Sequence, residues 1–304
     1  MSRTFRYAPS LARAMVAGGL LVVGAGVANA TENGASMYPM GNENFMIAAM
    51  PPPGVYYMMY LDHYNADSLK DSNGNDIPIN FKLTADAIAP RFIWVTDQKI
   101  LGGQLAFHTI IPLVRLDISV LGHDQSKTGI GDIVLGPGLG YHLSDKLHEV
   151  FAMDINAPTG GYNQTDQTNI GHHYWNLEPL YGLTYEQPDG LNWDLKVMYD
   201  YNFTNNATHY KSGQELHADY DAGWGFGNGW VAGIGGYIYQ QVTGDSGPTA
   251  PSDGHKGKEF AIGPDIEYND HHGFFITIKW EKEMSAENRA QGNEFKIKFT
   301  IPVH

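Results

Sequence analysis

Strict alternation of apolar and polar residues near the carboxyl terminus restricts this part of the chain to β structure. The two alternating sets are Phe295, Ile297, Phe299 and Ile301 on one face, and Lys296, Lys298 and Thr300 on the other. Because successive side chains of a strand point to opposite faces, this strand has one apolar and one polar surface. A soluble β-sandwich can contain one such strand, so the pattern must recur to indicate a barrel.

The alternation recurs in eleven further segments of similar length. They are Val55–Leu61, Phe81–Val95, Gln104–Ile118, Ile130–His142, Glu149–Ala157, Asn176–Glu186, Trp193–Phe203, Leu216–Trp224, Trp230–Gln241, Phe260–Asn269 and Phe274–Lys282. The total of twelve is even, as a single-chain bacterial membrane barrel requires. The sequence therefore predicts an all-β fold, a transmembrane antiparallel up-and-down β-barrel of about twelve strands.

The connections between these segments alternate in length, which is a second indication of a membrane barrel. Long links such as 62–80, 159–175 and 243–258 alternate with short ones such as 97–99 and 227–229. The link 119–129 is expected to be one of the longer loops. Outer-membrane barrels have short periplasmic turns and longer extracellular loops, whereas a sandwich has no reason to alternate in this way.

Residues 1–30 have the pattern of a secretory signal peptide, with three arginines, an apolar stretch and an Ala28-Asn29-Ala30 cleavage site. Removing them changes the formal charge from −14 to −17, because three arginines and no acids are lost. So acidic a chain does not suit nucleic acid. The chain contains no cysteine, which excludes disulfides and thiolate metal sites.

Residues 31–53 precede the first strand and form a separate segment. Asn44 to Met50 is apolar enough to predict a short helix. The segment is expected either to remain periplasmic or to plug the barrel, and residues 54–304 are expected to form the barrel itself.

Several glycine-rich motifs resemble those of a known family. They are Gly129-Ile130-Gly131-Asp132, Gly136-Pro137-Gly138, Gly140-Tyr141-His142, Pro158-Thr159-Gly160-Gly161-Tyr162 and the Pro51-Pro52-Pro53-Gly54 run. Together they resemble the bacterial outer-membrane phenol meta-pathway degradation family of β-barrel transporters, over nearly the whole mature chain. The resemblance implies an outer-membrane barrel of a Gram-negative bacterium, often encoded near aromatic-catabolism genes. It implies no catalytic residues.

Charged residues on the polar strand faces are candidates for lining the lumen, because lipid cannot solvate them. We expect a change of phase at Pro112, with Val114, Leu116 and Ile118 facing lipid after it. The expected lumen residues are Asp86, Arg91, Arg115, Asp117, Asp132, Asp154, Glu178, Asp194, Lys196, Asp200, Asp219, Asp221, Asp265, Glu267, Lys279, Glu281, Lys296 and Lys298.

Three functions remain open from the sequence. The first is a passive channel for small organic compounds, including aromatic or hydrophobic ones, and not an enzyme. The second is a closed structural or surface-binding barrel, and the third an outer-membrane hydrolase, although neither Gly-x-Ser-x-Gly nor His-Glu-x-x-His occurs. No cofactor and no metal are expected. The expected partners are membrane lipids, a small-molecule solute and the outer-membrane assembly machinery, while the oligomeric state cannot be read from the sequence.

Overall fold

The computed structural model describes residues 36–270 and 272–303, and these residues form one closed β-barrel. The signal peptide predicted for residues 1–30 lies outside the described residues. No helix within the described ranges is long and apolar enough to cross a membrane. The strands are β1 Gly54–Leu69, β2 Phe81–Ile100, β3 Gly103–Ile110, β4 Leu113–Val120, β5 His123–Ile130, β6 Ile133–His142, β7 Leu147–Ala157, β8 Asn176–Tyr185, β9 Asp189–Asn202, β10 Glu215–Phe226, β11 Trp230–Gln241, β12 Lys258–Asn269, β13 Phe275–Glu287 and β14 Ala290–Val303.

Twelve of these strands close the barrel through antiparallel pairing. The order around the ring is β1-β2-β3-β6-β7-β8-β9-β10-β11-β12-β13-β14, and β1 pairs with both β2 and β14. Closure leaves no free edge within the ring, which is what a strand assembly needs in lipid. The predicted fold class of a twelve-stranded antiparallel transmembrane barrel is confirmed.

The remaining two strands, β4 and β5, form a hairpin that extends the wall beyond the ring. β4 continues the line of β3 and pairs with the first half of β2, whereas β5 pairs only with β4. The prediction of a longer loop at 119–129 is therefore wrong, because this stretch belongs to a hairpin with a two-residue turn at Leu121 and Gly122. Both turn residues have positive φ (53° and 82°), as in the type I′ turns that suit the twist of hairpins.

The outer edge of β5 is covered by the loop of residues 158–175. Gln125 accepts a hydrogen bond from the backbone of Thr168 (2.9 Å), and Lys127 donates to Asn169 (3.0 Å) and to Asp166. The hydrogen bond from Lys127 lowers the pKa of Asp166 below its ordinary value. The loop thus satisfies side chains of a strand that has only one strand neighbour.

The outer wall carries a band of large apolar side chains that are exposed to the surroundings of the barrel. Representative members, each about 40–55% exposed, are Phe92, Phe107, Phe151, Ile234, Ile238, Ile278 and Trp280. In water such a continuous apolar band would be unfavourable, whereas lipid tails stabilise it. The polar residues alternate with these positions and point inward, which reverses the inside–outside pattern of a soluble protein.

Candidate functional site

Residues 36–53, here called the lumen segment, run along the inside of the barrel. At one end Arg289, in the β13–β14 turn, donates to the hydroxyl of Ser36 (2.8 Å). At the other end the segment leads through Pro51–Pro53 into β1 at Gly54. The segment therefore passes from the end of the barrel with the long loops to the end with the short turns.

One side of the lumen presents lysines to the backbone carbonyls of the lumen segment. Lys279 donates to the carbonyl of Glu43 (2.9 Å), Lys296 donates to the carbonyl of Met40, and Lys298 donates to the carbonyls of Asn44 and Phe45 (both 3.3 Å). All three lysines lie on the neighbouring strands β13 and β14. This cluster of Lys279, Lys296 and Lys298 is referred to below as the lysine wall.

The side of the lumen formed by β8–β10 presents acceptors to the backbone N–H groups of the same segment. Asp219 accepts from the N–H groups of Gly41 (2.9 Å) and Glu43 (3.0 Å). Asp194 accepts from the N–H of Ile47 (2.9 Å), and Thr184 accepts from the N–H of Ala48 (2.8 Å). The C=O groups of the lumen segment are thus bound by lysines of one wall, and its N–H groups are bound by acceptors of the other wall. Positive charge therefore lies on one side of the lumen and negative charge on the other.

The carboxylate of Glu43 joins the lumen segment to the wall by charge as well as by hydrogen bonds. It lies 3.2 Å from the ammonium of Lys298 and 3.1 Å from the guanidinium of Arg91, and it accepts from the hydroxyl of Tyr60 (2.9 Å). Glu281 lies between Lys279 (3.0 Å) and Lys296 (3.4 Å). Buried charges in this network are therefore paired, as burial requires.

The lumen segment contains no helix, so the short helix expected over 44–50 is wrong. The chain there has bends instead, and Met46 has a positive φ of 68°. Its backbone groups are bonded to the barrel wall, which removes the need for the internal bonds of a helix. Gly41 has a φ of 70°, and a Cβ at this position would lie 2.4 Å from a carboxylate oxygen of Glu281, so only glycine fits without rearrangement.

Beside residues 46–52 of the lumen segment, a cavity of about 670 Å³ occupies the short-turn end of the barrel. Apolar side chains from both the segment and the wall line it, among them Met46, Ile47, Met50, Ile93, Leu180 and Phe275. Polar groups reach it from the basic side chains of Arg91, His108, His142, His148, Lys196 and Lys298 and from the carboxylates of Glu43, Asp154 and Glu186. A mainly apolar space with a few polar groups is the usual composition of a small-molecule site, and its volume lies in the usual range.

Most of the charged residues selected from the sequence are buried within the barrel. Fourteen of the eighteen are less than 9% exposed, and these are Asp132, Asp154, Glu178, Asp194, Lys196, Asp200, Asp219, Asp221, Asp265, Glu267, Lys279, Glu281, Lys296 and Lys298. Arg91 is partly buried against Glu43. Asp132 differs from the others in its role, because it binds the N–H groups of Gly160 (2.8 Å) and His172 (2.7 Å) and so anchors the 158–175 loop.

Asp86, Arg115 and Asp117 do not face the lumen, contrary to expectation. Asp86 is opposite Arg115 in the register of β2 and β4, and it contacts His63 (2.7 Å) on the outer face of β1.

Strands β3 and β4 keep the same phase across Pro112, so the expected phase change is absent. Val114, Leu116 and Ile118 point inward, and Ile118 packs against a cluster built on Leu69, Phe81 and Val120. The hairpin extends beyond the ring at the end with the long loops. Its inner face packs against other side chains, and its outer face carries exposed charged residues.

Several interior residues were missed by the sequence interpretation. Tyr38, Glu43 and Asn44 precede the strands, and no periodicity marks them. Glu215 lies two positions before His217, and Glu283 lies two positions after Glu281, on the same strand faces. Both acids were missed because β10 and β13 are longer than predicted. Extending the alternation by one more step at each end would have found these two acids.

A closed barrel with an apolar outer band and a polar interior, partly occupied by the lumen segment, defines a transmembrane β-barrel protein. Within that class the sequence matches the family described as "Putative MetA-pathway of phenol degradation" over residues 66–299, and the chain belongs to this family. The resemblance inferred from the glycine-rich motifs is thereby confirmed. A search among curated protein sequences found no significant match.

A solved structure of an outer-membrane channel shares the fold, and two further barrels give lower scores. An outer membrane channel from Pseudomonas putida F1 superposes with a TM-score of 0.77 at 16% identity, over 86% of this chain and 99% of that chain. A toluene transporter from Ralstonia pickettii gives 0.44 at 10% identity (84% and 91% covered). The translocator domain of an autotransporter from Neisseria meningitidis gives 0.45 at 8% identity (84% and 91% covered). At these identities the likeness is one of fold, and scores below 0.5 support no further comparison.

Proposed function

We propose that this protein is an outer-membrane channel of a Gram-negative bacterium for the passive uptake of small organic compounds, with aromatic or hydrophobic compounds as the solute class. The observation that carries the proposal is the mainly apolar cavity of about 670 Å³ at the short-turn end, beside residues 46–52 of the lumen segment. The short turns of such barrels face the periplasm, so the cavity would receive a solute after it has passed the part of the segment that the lysine wall holds.

The lining of the cavity supports a solute that is mostly apolar with one polar group. Ile93, Leu180 and Phe275 offer apolar contact. Arg91 offers hydrogen-bond donors, and His108, whose Nε2 contacts Asp154 (2.8 Å), offers Nδ1 as an acceptor. A phenolic hydroxyl or a similar polar substituent would have partners there, while the ring would remove apolar surface from water. The family description, which refers to phenol degradation, agrees with this class of compound.

Passage requires the lumen segment to shift, because it occupies the cross-section between the lysine wall and the β8–β10 side of the lumen. Its anchors are hydrogen bonds and ion pairs rather than apolar packing alone, so each is exchangeable with water. We infer that the segment acts as a resident gate. The same observation favours a second candidate, a permanently closed barrel whose function is carried by its external loops.

Single-channel recording of the refolded mature protein in a planar bilayer tests the two candidates. A channel is expected to give steady ohmic steps that phenol or toluene reduces in a concentration-dependent manner. Silence from protein with the circular dichroism of a folded barrel would support the closed barrel and contradict the channel.

A cavity variant with a matched control sharpens the test. Val150 lines the cavity, and Val150→Trp is expected to weaken block by aromatic solutes through loss of space. Ile238 lies on the outer face at 52% exposure, so Ile238→Trp is expected to leave both conductance and block unchanged. Equal solute block in the two variants would show that the cavity is not on the path.

A further inference from the structure

Three metal-ligating side chains meet inside the barrel at a place that the proposed channel function does not use. Glu178 on β8, Asp200 on β9 and His217 on β10 bring one ligand atom each to within 4.8 Å of one another. All three side chains are at most 2% exposed. They lie near the end of the barrel with the long loops.

The sheet register makes this cluster part of a row of carboxylates. Asp154 is opposite Glu178 between β7 and β8, and Asp200 is opposite Glu215 between β9 and β10. Like charges directly opposite each other destabilise a sheet, and burial increases the repulsion. Four carboxylates on four adjacent strands therefore need positive charge or protons.

Apart from His217 itself, which contacts Asp200, ion-pair contacts in the described residues reach only one end of the row. Asp154 has a partner in His108 at 2.8 Å. No lysine or arginine in the described part of the chain makes an ion pair with Glu178, Asp200 or Glu215. Lys196 lies nearby, but its ammonium is over the ring of Tyr38, 4.5 Å from the ring centroid.

Unpartnered polar atoms at the same place are an independent indication of a ligand. Within the described ranges, Glu178 Oε1, Glu215 Oε2 and His217 Nδ1 are buried and have no hydrogen-bond partner. The neighbouring atoms are satisfied, since His217 Nε2 contacts Asp200 (2.8 Å) and Asn202 donates to Glu215 (2.8 Å). Buried acceptors without a partner cost free energy, and a bound cation would satisfy several at once.

The donor set indicates the class of ion. Calcium and magnesium prefer oxygen ligands, whereas an imidazole combined with carboxylates suits Zn²⁺ and similar divalent transition ions. We propose that Glu178, Asp200 and His217, with Glu215 as a further carboxylate, bind one divalent transition-metal ion of the Zn²⁺ type. Tyr38 of the lumen segment stacks on His217 (ring centroids 5.0 Å apart), so the ion sits behind the segment and is shielded from the lumen.

Zinc titration of the full mature protein, folded in detergent and stripped with EDTA, tests the site. Isothermal titration calorimetry is expected to show one high-affinity Zn²⁺ per barrel. Glu178→Gln and His217→Gln are each expected to weaken binding at least about tenfold. His63→Gln, which removes an exposed histidine paired with Asp86, is expected to bind as the parent does.

A second readout and a competing site make the outcome decisive. Saturating Zn²⁺ is expected to raise the melting temperature of the parent but not of His217→Gln, provided the variant retains the circular dichroism of a folded barrel. The Nδ1 atoms of His142 and His148 lie 2.7 Å apart at the cavity, and this pair of imidazoles is a competing candidate for Zn²⁺ binding. Absence of stoichiometric Zn²⁺ binding by the parent would overturn the proposal. So would a result in which His148→Gln loses Zn²⁺ binding while Glu178→Gln binds Zn²⁺ as the parent does.

Discussion

The carboxylate of Asp219 on β10 accepts hydrogen bonds from the backbone N–H groups of both Gly41 and Glu43, so it holds two residues of the lumen segment against the barrel wall. The hydroxyl of Tyr38 donates to the same carboxylate at 2.6 Å. Charge-assisted hydrogen bonds of this kind contribute about 1.5–3 kcal/mol each, so Asp219 is a principal anchor of the segment.

Asp219→Asn is expected to loosen the lumen segment and to increase the open time or the conductance in single-channel recordings. The amide keeps one acceptor oxygen but loses the charge and the second acceptor. Asp86→Asn, on the outer face, serves as the control and is expected to behave as the parent. Identical recordings from Asp219→Asn and the parent would argue against the segment as the gate.

Glu43→Gln is expected to lower the thermal stability of the folded barrel, because it leaves Lys298 and Arg91 without their carboxylate. Removing one partner of a buried ion pair costs about 3–5 kcal/mol. The matched change Asp117→Asn breaks an exposed pair with Arg115 and is expected to cost less than about 1 kcal/mol. Thermal unfolding in the same detergent measures both, and equal shifts would contradict the buried network.

Gly41→Val is expected to displace the upper part of the lumen segment. The position has a φ of 70°, and its Cβ would meet the carboxylate of Glu281 at 2.4 Å. Gly161→Val is the control, since no atom lies within 4 Å of its added Cβ and its φ is not positive. Limited proteolysis of the folded protein, followed by mass spectrometry, should show new cleavage within residues 36–45 in Gly41→Val alone.

Ile297→Lys and Lys298→Ile test the inside and outside of β14 at adjacent positions. Ile297 faces the lipid side, where a lysine at the membrane midplane costs about 2–4 kcal/mol, so membrane insertion should fail or slow. Lys298→Ile should insert, although it removes a partner of Glu43 and so loosens the segment. Folding into liposomes, followed by heat-modifiable migration on gels, distinguishes the two; equal yields would contradict the orientation of this strand.

The hairpin of β4 and β5 shows where alternation alone is insufficient. Val114, Leu116 and Ile118 alternate as a lipid-facing strand would, yet they point inward. An apolar face has the same spacing whether it packs on lipid or on other side chains, so its direction depends on how far the strand rises above the membrane. That height is set by pairing with β2 and by contacts to the 158–175 loop.

The sequence by itself determined the all-β class, the twelve strands of the ring, most of the strand positions and the charged interior. Period-two alternation and loop lengths can be read from the sequence alone. A chain whose strands cross lipid must satisfy its backbone by closing the sheet and must keep its charges inside. The tertiary structure alone decided the course of residues 36–53, the partners of Glu43 and Asp219, and the meeting of Glu178, Asp200 and His217. Those arrangements depend on strand register and on which groups face each other across the lumen, and neither quantity is encoded in the spacing of residues along one strand.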